Sequence, residues 1–124
     1  MGDNEILRMC DTIRQIAYDL HTFLRSGHLE KVYENGLAHR LRKAGLKVEQ
    51  QRPLKVYDAD GTILGEYFAD LIIESELVVE LKASKAILDE HLAQLFGYLR
   101  ATGHRHGLII NFGAQKVQFK KLAL

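Results

Sequence analysis

The chain has 124 residues, 47% hydrophobic and 27% charged, with a formal net charge of +1. That length suits one domain, expected over 1–124, and no apolar run reaches the roughly 18 residues of a membrane span. A single cysteine, Cys10, excludes an internal disulfide and any Cys-ligated zinc or iron–sulfur site. Met1 to Glu5 lack the basic and apolar parts of a signal peptide, so a cytoplasmic location is expected.

The charges are unevenly spread. Residues 58 to 80 hold seven acids and no Lys or Arg, whereas residues 101 to 124 hold four cations and no acid. Six basic residues between Arg40 and Lys55 face one acid, Glu49. An acidic centre between basic ends fits a cation site beside a polyanion surface, although solvated faces would give the same distribution.

Taken in order, residues 4 to 25 read as an amphipathic helix, with Ile6, Ile13, Ile16, Ala17, Leu20, Phe23 and Leu24 on one side. Cys10 falls on that side as a small core residue. Ser26-Gly27 breaks the pattern, and a second helix from His28 to Ala44 turns Leu29, Val32, Tyr33, Leu37 and Leu41 inward. Gly45 closes it in a left-handed cap. Residues 46 to 57 form a strand in which Pro53 points to an edge or bulge. Asp60-Gly61 turns the chain into a strand running through Asp70.

The next stretch organises the rest. Leu71 to Ile73 and Leu77 to Val79 are short apolar runs on either side of Glu74-Ser75-Glu76, which reads as a hairpin connection. Alternation puts Phe68, Asp70 and Ile72 on one face, opposite Ala69, Leu71 and Ile73. On the following strand Glu80 and Lys82 share a face, opposite Leu77, Val79 and Leu81. A three-residue connection pairs Ile73 with Leu77 and sets Asp70 directly across from Glu80. Like charges so placed repel, so a positive group belongs between them, either Lys82 or a metal ion. A two-residue turn would instead separate the carboxylates.

A loop from Ala83 to Leu88 leads to a helix over Asp89 to Ala101, capped by Gly103, with Leu88, Leu92, Leu95, Phe96 and Leu99 as its apolar stripe. Two strands follow, His106 to Asn111 and Lys116 to Leu122. The order αα-βββ-α-ββ implies an α/β fold, a mixed sheet with helices packed on it.

Four stretches in this order carry a resemblance: Gly27-His28-Leu29-Glu30-Lys31-Val32-Tyr33, Gly65 to Asp70, Glu80-Leu81-Lys82, and Gln94-Leu95-Phe96-Gly97-Tyr98. The last three resemble the PD-(D/E)xK nuclease superfamily, in particular its RecB-like branch, and the first resembles the signature of the small GxxExxY proteins placed in that superfamily. The resemblance covers roughly residues 5 to 122. It implies a metal-dependent nuclease using Mg2+ or Mn2+, with nucleic acid as partner, DNA before RNA. Asp70, Glu80, the Leu81 carbonyl and Glu30 would be the metal ligands.

The chemistry suits those residue types. Phosphodiester hydrolysis needs an activated water and a stabilised charge, and divalent cations held by hard oxygen ligands supply both. Lys82 would orient or deprotonate water, or stabilise the phosphorane. Gln94 and Tyr98, four apart on one helix, form a polar patch with His91 beside it, able to hold Lys82 or touch a phosphate. Glu30 could equally fold back to cap its helix. Tyr33 reads as packing, Glu34, Glu66, Glu74 and Glu76 as solvated, and His104 and His106 as surface residues. The other reading of the same fold is an inactive module that binds nucleic acid or protein. A domain this small has little room for sequence recognition, so cleavage of low specificity or dependent on structure is expected, from a homodimer or larger homo-oligomer.

Overall fold

The computed structural model describes residues 1–124. Helix α1 (Asp3–Leu24) and helix α2 (Glu30–Lys43) precede strands β1 (Val48–Tyr57), β2 (Ile63–Ile73) and β3 (Leu77–Lys82). Helix α3 (Asp89–Thr102) crosses to β4 (His106–Asn111), and β5 (Gln118–Ala123) closes the chain. The sheet order is β1-β2-β3-β4-β5, antiparallel except for the β3–β4 pair, which the α3 crossover makes parallel. This is the expected mixed sheet in the expected order. Pro53 lies on an edge strand, the usual place in a sheet for a residue without an N–H. No helix is long and apolar enough to cross a membrane.

Helices α1 and α2 cover one face, burying Ile13, Tyr33, Leu37 and Leu41 against Leu71, Val79, Leu81 and Ile110. Helix α3 covers the other, where Leu95 and Leu99 meet Ala69, Ile72, Val78 and Ile109. Gly107 permits this contact: a Cβ there would come within 2.9 Å of the Leu95 side chain. All three helix stripes are narrower than their periodicity implies. Phe23 and Leu29 are 76% and 78% exposed, and Val32 and Leu88 are exposed too. Phe23 and Leu29 flank the α1–α2 connection.

The β2–β3 register is the one expected from a three-residue connection, with Ile73 opposite Leu77 and Leu71 opposite Val79. The ladder stops there, one pair short of Asp70 and Glu80. The face assignment of β2 needs correction. Ala69 lies with Ile72 on the α3 side, not with Leu71 and Ile73, and Phe68 is exposed. Strand β1 switches faces in step, since Val48 packs toward α1 and α2 while Leu54 packs toward α3. Between these changes sit Gln51, whose φ is +52°, and Asp70 opposite it. A left-handed residue in one strand breaks the pleat, and both strands reverse their alternation around it.

Candidate active site

The switch point puts Asp70 in the gap where β2 and β3 part. One carboxylate oxygen, Oδ2, accepts the Leu81 N–H at 2.8 Å, and Oδ1 accepts from Gln51 Nε2 at 3.1 Å. The N–H and C=O of one strand residue leave from the same edge, so the Leu81 carbonyl faces this gap as well. Glu80, on the neighbouring strand, is half-buried, and its Oε1 is buried with no hydrogen-bond partner. Burial pushes the Glu80 carboxyl up to about 7; Lys82 pulls it back, and Glu30 and Glu34 add to the rise. Asp70 is raised for the same first reason, burial, which the Leu81 and Gln51 bonds partly offset.

Two carboxylates arrive from α2. Glu30 is its first residue, is exposed, and makes no capping hydrogen bond, so the alternative role as a helix cap is not the one observed. Glu34 was expected to be solvated; it is 3% exposed and fully engaged. Its Oε2 accepts from Lys31 Nζ at 2.9 Å and Gln50 Nε2 at 2.7 Å, and its Oε1 accepts from Gln51 Nε2 at 2.7 Å. Gln51 therefore bridges Glu34 to Asp70. Glu34, Gln50 and Gln51 are the site residues that sequence reasoning missed. The available signals were the four-residue spacing of Glu30 and Glu34, which puts them on one helix face, and the paired glutamines in an edge strand.

The α3 patch stands further off. Gln94 is exposed and donates to the Tyr98 hydroxyl at 2.8 Å, as their spacing implies, and makes no hydrogen bond to Lys82. Tyr98 stacks on Tyr67 with ring centroids 3.6 Å apart. His91 Nδ1 accepts the Leu88 N–H at 3.1 Å and so caps α3. Lys82 has no ion pair within 4.0 Å. Elsewhere, His106 is buried, not a surface residue, and its Nε2 lies 3.3 Å from Asp3. Tyr33 is fully buried, stacked on Phe112, and serves packing as expected.

The donor set suits a hard divalent cation. Four carboxylates (Glu30, Glu34, Asp70, Glu80) against two ammonium groups (Lys31, Lys82) leave two negative charges when all are ionised. The unpartnered Glu80 Oε1 is a buried acceptor that a cation would satisfy. Asp70 keeps lone pairs beyond the two its hydrogen bonds use. The side chains are held apart as they stand, since no three His, Cys, Asp or Glu residues converge closely enough to grip an ion.

No curated protein matches the chain. A solved structure, "Crystal structure of SSO0001", is similar in fold, with a TM-score of 0.61 and 21% sequence identity over 75% of this chain. The match spans 48% of that structure, so this chain corresponds to about half its length. The sequence model of the PD-(D/E)XK nuclease superfamily matches residues 7–122. A mixed sheet whose central hairpin opens at Asp70 and Glu80 is thus set in a chain that belongs to the PD-(D/E)XK nuclease superfamily.

Proposed function

We propose that the chain is a Mg2+- or Mn2+-dependent deoxyribonuclease of the GxxExxY type, cutting phosphodiester bonds with low sequence specificity or by structure. The observation that carries this reading is the half-buried Glu80, whose Oε1 is buried and unpartnered, next in line to Asp70 where the β2–β3 ladder opens. Asp70, Glu80, the Leu81 carbonyl and Glu30 would hold the cation, with Gln51 and Glu34 fixing Asp70 behind it. A divalent cation there supplies water activation and charge stabilisation at phosphorus. Lys82 shares the Glu80 face and is free of any ion pair, so its ammonium group is available to a scissile phosphate or to the attacking water. Gln94 and Tyr98 are a hydrogen-bonded pair on α3, from which they would contact a bound substrate. The small domain supports cutting without sequence readout, in a homodimer or larger homo-oligomer.

The test is incubation with single- and double-stranded DNA and with RNA, in Mg2+, Mn2+ or EDTA. DNA is expected to be cut with either metal and not in EDTA, and Lys82→Ala should slow cutting by about 100-fold or more. Binding of DNA without hydrolysis in any metal would favour the inactive binding module. Neither cleavage nor metal binding would overturn the reading.

A further inference from the structure

A second concavity opens between the last turns of α1 and the β4–β5 turn. It holds about 420 Å3 and is lined by Tyr18, His21, Thr22, Arg25, Gln115 and Lys116, with no carboxylate among its lining residues. Phe112 ties it to the nuclease site. The Phe112 N–H donates to the Lys82 carbonyl at 2.8 Å, and its ring lies 6.2 Å from the His21 ring.

The C-terminal end of a helix ordinarily repels anions, because its last carbonyls point outward unpaired. Here two of those acceptors, the His21 and Leu24 carbonyls, are taken, while those of Thr22 and Phe23 stay open. The Tyr18 carbonyl accepts from Thr22 Oγ1 at 3.0 Å, that of His21 from the Arg25 N–H at 2.7 Å, and that of Leu24 pairs with His28 Nε2 at 3.2 Å. The Arg25 carbonyl accepts from the Tyr33 hydroxyl. Across the pocket, the Ala114 carbonyl takes His21 Nε2 at 3.1 Å. That nitrogen must carry the proton, since a carbonyl only accepts.

The cations are the reverse, anchored by their backbones and free at their tips. Arg25 is fixed at φ +62° by the Tyr33 bond, and His21, only 6% exposed, holds the turn that carries Lys116. Neither the Arg25 nor the Lys116 side chain makes an ion pair or hydrogen bond within the protein. The contrast is with the basic run from Arg40 to Lys55, much of which is spent internally. Arg42 binds Gln50 and the Val48 carbonyl, while Lys47 and Arg52 pair with Glu49.

We propose that this pocket is a substrate subsite in which Arg25 and Lys116 bind backbone phosphates of a nucleic-acid strand crossing the end of β3 to Lys82. The inference rests on the nuclease reading. Its test is equilibrium binding of fluorescein-labelled DNA in EDTA, as a function of salt, for the wild type, Arg25→Gln/Lys116→Gln and Lys43→Gln/Lys55→Gln. The first pair should weaken binding about tenfold or more at 0.1 M salt and lower the salt slope by roughly 1.4–1.8, for two phosphate contacts. The second pair, with both side chains exposed elsewhere, should leave the slope unchanged, and circular dichroism should show both variants folded.

Equal losses in both variants, or none in the first, would overturn the subsite while leaving a DNA-binding wild type and its cleavage intact. A wild type that binds no DNA would remove the nuclease reading with it. Inorganic phosphate, titrated by NMR, separates the sources. Saturable shifts at Arg25, with DNA binding unaffected by Arg25→Gln/Lys116→Gln, would show a free-anion pocket and overturn the proposal.

Discussion

Glu80 opposes folding at the pH where it would work. Its carboxyl is neutral in both states below the free value of 4.5, so it costs nothing there. As pH rises toward 7 the unfolded chain releases the proton first, and the native state loses stability relative to it. Above about 7 the full cost is present, about 3 kcal/mol from the size of the shift. Glu80→Gln should therefore raise the melting temperature by several degrees at pH 8.5 in EDTA, leave it unchanged at pH 4, and abolish cleavage. Thermal melts at the two pH values check this, and a variant that is destabilised at pH 8.5 would contradict the burial argument. Gln51 is the other residue on which the site turns. Its side chain links Glu34 to Asp70 while its backbone sits in the left-handed region that favours glycine. Gln51→Gly should relieve the backbone and keep stability within about 1 kcal/mol, but lower metal affinity roughly tenfold or more by freeing Asp70. Calorimetric titration with Mn2+ is the measurement.

At the scale of elements, the loop after β3 is pinned by a few polar contacts. Asn111 is fully buried; its Oδ1 accepts the Ser84 and Gly113 N–H groups, and its Nδ2 donates to the Ser84 carbonyl at 2.9 Å. Gly113 lies so close that a Cβ would stand 2.3 Å from the Ser84 backbone N and O. Gly113→Ala should cost roughly 1–3 kcal/mol or more and move the segment that follows Lys82, with cleavage falling alongside the melting temperature; unchanged stability would contradict the packing. The elements also show what could be read beforehand. The even β2–β3 register, the edge position of Pro53, and the left-handed Gly45 and Gly103 follow from local rules, and all four are present. The face switch at Gln51 and Asp70 was not legible, because strict alternation assumes an unbroken pleat. Glu34 was misread for a related reason. Its burial is compensated by Gln50 and Gln51 on a strand sixteen and seventeen residues away, which no helix-level pattern reports.

For the whole molecule, the charge blocks noted in the sequence are only partly kept: much of the Arg40 to Lys55 run is paired internally, and two acids near Asp70 come from α2. The carboxylates of α2, β2 and β3 feel one another's charge without converging on a point, and the unpaired Arg25 and Lys116 line the pocket next to Phe112. Gln94, placed by resemblance beside Lys82, instead pairs with Tyr98 on α3, so its share in the chemistry rests on substrate arriving between them. The account stands on Asp70 and Glu80 forming one cation site on which cleavage depends. Asp70→Asn tests this most directly, since the amide oxygen can still accept the Leu81 N–H while the charge is gone. Mn2+ titration by calorimetry at pH 8, with DNA cleavage measured in parallel, should give saturable binding and cutting in the wild type and neither in the variant. Equal metal affinity and equal cleavage in the two proteins would contradict it.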